Sequence, residues 1–180
     1  MTSYSILEQL LALEKRVRQV YVLLSQHPQL PADFRTVWKA MAEDETRHIV
    51  ALERSAHLFS VMVSPPAISA QEISDVEVVI STAEATAQRP NLNSGEVFRQ
   101  VLALEGSELN RIDEAWMHSF LPTTSLLLEA LTPATQPHIR RLVEAVHRFS
   151  TDTTLHAEAD ALWGLYDKPK HATAQTGLTG

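Results

Sequence analysis

Long segments whose apolar residues recur every three or four positions, with little glycine to interrupt them, constrain this chain more than any other feature. Glycine occurs 5 times in 180 residues, and a repeat of that period draws one apolar stripe along an α-helix. The pattern predicts an all-α fold with four long helices. The first covers about Ser3 to Gln26, with Ser3 or Ser5 as N-cap and the His27–Pro28 step as its end. The second starts near Pro31, a favourable first-turn proline, and runs to about Phe59, with Pro65–Pro66 closing it. A crossover follows over 67–93, carrying an extra helix from about Ala70 to Gln88. The third helix runs from an N-cap at Ser94 to about Phe120, and the fourth from about Pro137 to Tyr166. Between them, 121–136 contains an apolar stretch, Ser125 to Leu131, that reads as a short helix. One domain over 1–166 and a polar, disordered tail over 167–180 complete the expectation.

Composition narrows what such helices do. The net charge of −7 offers no basic footprint for nucleic acid, and no apolar run approaches the roughly 20 residues of a bilayer span. The opening residues, which include Glu8, lack the basic start of a secretory signal, so a cytoplasmic protein is expected. There is no cysteine, which removes disulfides, thiolate zinc sites, iron–sulfur clusters and thiol nucleophiles. A Gly-x-Ser-x-Gly elbow and a phosphate-binding glycine loop are also missing from the sequence. Any metal must sit on oxygen and imidazole.

Charged residues fall inside the apolar stripes. On the first helix the stripe reads Ile6/Leu7, Leu10, Glu14, Val17, Tyr21, Leu24; on the second, Phe34, Trp38, Met41, Glu45, His48, Leu52. Glu105 has the same setting on the third. An ionised carboxylate costs several kcal/mol to desolvate without a partner, and several facing one another repel unless a cation lies between them. Glu45 and His48 form a Glu-x-x-His pair, which sets carboxylate and imidazole on one helix face. The midpoint of 14 and 45 falls at about 29.5, inside the expected 27–31 turn, so an antiparallel hairpin holds Glu14 and Glu45 level.

The fourth helix presents two candidate pairs. Glu144 and His147 make a formal Glu-x-x-His but lie off the stripe of Ile139, Leu142, Val146, Phe149, Thr153, His156 and Asp160. Thr153 and His156 lie on it, with threonine in the carboxylate position. A connection centred near 128.5 puts the residue level with Glu105 at about 152, which favours His156, with Asp152 or Asp160 as substitutes for the missing carboxylate. Glu108, one turn beyond Glu105, is either an exposed residue near Arg111 or an inward carboxylate.

Helices one and three also repeat. Gln9–Glu14 (QLLALE) matches Gln100–Glu105 (QVLALE) at an offset of 91 residues. This suggests two related helical hairpins joined by the crossover, and it aligns Glu108 with inward Val17.

Taken in order, Glu14 and Tyr21, then Glu45-x-x-His48, then Glu105-x-x-Glu108, then His156 resemble the ferritin-like superfamily, and within it the rubrerythrin branch. That resemblance implies a four-helix bundle of antiparallel hairpin pairs joined by a long crossover. It implies two iron ions, with manganese or zinc as substitutes, on Glu14, Glu45, His48, Glu105, Glu108 and His156. Tyr21 would hydrogen-bond Glu108. Unlike that branch, the chain has no rubredoxin module and its fourth-helix pair reads Thr-x-x-His. The expected activity is oxidation chemistry with O₂ or peroxide, as a peroxidase or ferroxidase, with an electron donor the sequence does not name. Iron storage and a bundle with a degenerate site are the alternatives. A homodimer is expected, with the crossover helix and Leu126–Leu128 as candidate surfaces.

Overall fold

The computed structural model of the chain describes residues 3–61, 68–107, 109–120 and 135–167 and is all-helical. Its elements are α1 (Ser3–Gln26), α2 (Ala32–Ser55) with a 3₁₀ turn at Ala56–Val61, and α3 (Ala70–Ala87). After these come α4 (Ser94–Glu105), α5 (Leu109–Met117), α6 (Thr135–Phe149) and α7 (Thr153–Tyr166). The Ser125–Leu131 stretch, the Pro65–Pro66 stop and the tail from 168 onward lie outside the described residues. Among the described residues no helix is long and apolar enough to cross a membrane.

α1 and α2 form an antiparallel hairpin. Arg18 Nε donates to Thr46 Oγ1 at 2.8 Å, and Lys15 pairs with Glu53 at 3.4 Å. Both expected stripes are buried along their whole length, Glu14, Glu45 and His48 included. α3 lies against α1 through Arg16, which donates to both carboxylate oxygens of Glu84. A capping box between Ser69 and Glu72 starts α3. α6 runs antiparallel to α2, so that Asp44 meets His138 and Arg141 while Asp33 meets Arg148. Phe34, Trp38, Phe98 and Phe149 fill the space between α2, α4 and α6 with edge-on and tilted ring contacts.

Two expected helices are each divided. The third stops at Glu105, where Gly106 N donates to Leu102 O at 2.9 Å and Ser107 N to Leu104 O at 3.1 Å. Asn110 Nδ2 covers the freed Glu105 carbonyl at 3.0 Å. The fourth stops at Phe149 and returns antiparallel as α7, so that His147 meets Asp160 across the turn. The cause is local: Ser150 Oγ accepts from Asp152 N, and Asp152 caps α7 by accepting from Thr154 N at 2.9 Å. Short polar side chains that bond their own backbone favour such caps over helix continuation. The cap of α4 is Asn93, not Ser94, because Asn93 Oδ1 accepts from Gly95 N and Glu96 N. Pro31 likewise occupies the cap position of α2.

Candidate metal centre

Four helices bring titratable side chains to one interior point: Glu14 and Tyr21 from α1, Asp44, Glu45 and His48 from α2, Glu105 from α4, and His138 from α6. All are buried. Among the described residues two groups could each hold a metal ion, Glu14–Glu45–His48 and Glu45–Glu105–His138, the ligand atoms within each lying within 4.8 Å of one another. Glu45 belongs to both. Its Oε2 lies 2.8 Å from His48 Nδ1, and its Oε1 lies 3.3 Å from His138 Nε2. His48 Nδ1 is also 3.9 Å from Glu14 Oε2.

His138 was not anticipated from the sequence, and it is the most constrained member. Its ring is 1% exposed. Nδ1 stands 3.2 Å from Asp44 Oδ2, while Nε2 faces Glu105 Oε1 at 3.1 Å, out of line for a hydrogen bond. With its proton on Nδ1 for Asp44, a neutral imidazole would leave a bare Nε2 within 3.3 Å of two carboxylate oxygens. A second proton on the ring or a metal ion at Nε2 relieves that repulsion. Burial pushes the His138 pKa down, but the charges of Glu105 and Glu45 outweigh it and hold it at about 9.

The surrounding groups hold these ligands in place. Tyr21 donates its hydroxyl to Glu105 Oε1, and Asn110 Nδ2 reaches Glu105 Oε2 at 3.4 Å. Burial raises the Glu105 pKa, yet His138, Tyr21 and Asn110 together bring it below the usual carboxylate value. Burial and the neighbouring carboxylates keep Tyr21 protonated, its pKa well above the ordinary tyrosine value. Asp44, also unanticipated, is buried and accepts from Arg47 and Arg141 as well as facing His138. A carboxylate behind a histidine fixes the ring and the tautomer of a metal ligand.

Of the residues expected from sequence, Glu14, Glu45, His48 and Glu105 meet here, and Tyr21 reaches Glu105. Glu108 lies outside the described residues, so the Tyr21 bond described is the one to Glu105. His156 is not at this centre: its Nε2 lies 2.9 Å from Ser150 O at the α6–α7 turn, with its ring beside His147. Asp152 caps α7 and pairs with Arg99, and Asp160 pairs with His147. Glu144 is on the surface, bonded to Arg140 at 2.8 Å. Levelling residues about the middle of 121–136 fails because it assumes two straight helices, whereas the third breaks at Gly106 and the fourth folds back at Ser150. The internal repeat carries the better signal. Its offset of 91 moves His48 to 139, one residue past His138.

Comparison with protein-family models, curated proteins and solved structures finds no match to the chain.

Proposed function

We propose that this chain is a two-metal carboxylate protein of rubrerythrin-like type, a ferritin-like bundle in which α1, α2, α4 and α6 enclose two iron ions and α3 is the crossover helix. The observation that carries this reading is the membership of Glu45 in two buried ligand triads. A bridging carboxylate is what lets two cations share one small site. Glu14 and His48 would complete the shell of one ion, Glu105 and His138 that of the other. Oxygen and imidazole donors without thiolate suit iron or manganese.

Iron bound there would supply the electrons that reduce O₂ or peroxide. The chain's own residues supply the setting. Tyr21 and Asn110 orient Glu105, and Asp44 turns His138 so that Nε2 faces inward. The aromatic wall of Trp38, which stacks on Tyr21 at 6.0 Å between ring centroids, keeps bulk water from that side. Anaerobic titration with Fe²⁺, followed by elemental analysis after desalting, tests the reading: two ions per chain support it and none refutes it.

A second reading rests on the ion pairing of His138 with Glu45 and Glu105. Doubly protonated His138 neutralises part of the carboxylate charge by itself, which describes a bundle whose centre is an ion cluster with no metal. The same titration separates the two, since such a centre takes up no Fe²⁺.

A further inference from the structure

The outer face of the α1–α2 hairpin carries a groove of about 620 Å³ whose charge is opposite to that of the molecule. Among the described residues Arg18, Arg35 and Lys39 line it with a single carboxylate, Glu43, on a chain of net charge −7. The α2 positions that line it, from Ala32 to Thr46, follow one helix face and extend about 20 Å at 1.5 Å per residue. Arg18 is braced across the two helices by its bond to Thr46 Oγ1. Among the described residues neither Arg35 nor Lys39 forms an ion pair. Elsewhere on the surface Lys15, Arg16, Arg89, Arg99, Arg140 and Arg148 each sit beside a carboxylate.

We propose that this groove docks an acidic segment of a partner protein. Its length and openness suit an extended or helical stretch of chain rather than one small anion, and three spaced cations match a run of Asp or Glu. An acidic partner is repelled by most of this molecule, so a local basic strip selects its orientation as well as attracting it. The strip ends at Arg18 and Thr46, beside the turns that carry Glu14 and Glu45. An occupant therefore lies over the helical wall of the buried centre. Docking there is a binding event alone and does not require iron in that centre.

The test uses the full chain without added metal and a fluorescein-labelled oligoglutamate of about 8 residues, long enough to span the groove at about 3.3 Å per residue. Fluorescence anisotropy at low salt should show binding that fades as salt rises. Arg35→Glu/Lys39→Glu should weaken it by roughly tenfold or more, while Arg99→Glu/Arg140→Glu, with the same change in net charge elsewhere, should leave it within about twofold. Circular dichroism establishes that both variants fold. Equal weakening by the two variants, no binding by the unmodified chain, or full displacement by millimolar inorganic phosphate would each overturn the proposal, the last by identifying a small-anion site.

Discussion

His138 is held by negative charge at both ring nitrogens, Asp44 at Nδ1 and Glu105 with Glu45 at Nε2. In the metal-free protein that arrangement ties stability to pH. The folded pKa of about 9 lies above the 6.5 of a solvated histidine, so the contribution is fully present below pH 6.5 and is lost as pH rises through about 9. The loss is at most on the order of 3 kcal/mol, and urea midpoints measured across that range should fall, with His138→Gln flattening the curve. Metal ligation requires the same proton to leave. Fe²⁺ uptake at neutral pH should therefore release protons, read by calorimetry in buffers of different ionisation enthalpy. Asp44 acts through His138 and not on the ions, so Asp44→Asn should weaken metal binding by about 10- to 100-fold while leaving the helix content unchanged. Tyr21→Phe removes a donor to the buried Glu105 carboxylate and should cost about 1.5–3 kcal/mol of stability, measured by urea unfolding.

The apolar stripes of α1 and α2 make their buried faces legible in the sequence, and Glu14, Glu45 and His48 stand out as charge within those stripes. The third and fourth helices read as continuous in the sequence, because their apolar period passes through Gly106–Ser107 and through Ser150–Asp152 almost undisturbed. Period reports which face is buried. It does not report that Ser150 and Asp152 bond their own backbone and turn the chain around. His156 continued the fourth-helix stripe on paper and is carried away by that turn, whereas His138 lies one turn into α6, before much of the stripe has accumulated. Asp152→Ala removes the cap of α7 and should cost about 1 kcal/mol, visible as a lower thermal midpoint. Gly106→Ala brings a Cβ to 3.0 Å from Leu102 O, and the same measurement should show a loss, since that neighbour is backbone and cannot swing away.

Over the whole molecule, three glutamates from three helices, with Asp44 behind them, meet in an interior otherwise made mostly of Leu, Val, Ile and aromatic side chains. Each helix buries its stripe only by bringing its acid to the same place, so the packing that stabilises the fold also assembles the charge. Positive charge at that point is the requirement on which the proposed function depends, and Glu45, facing both histidines, is where it should gather. The most direct measurement is anomalous diffraction at the iron edge from crystals of the Fe²⁺-loaded chain. Two peaks flanking Glu45, one beside Glu14 and His48 and the other beside Glu105 and His138, are the predicted result. An iron-loaded crystal with no peak at Glu45, or with iron only at a surface position such as His147 and His156, would contradict it.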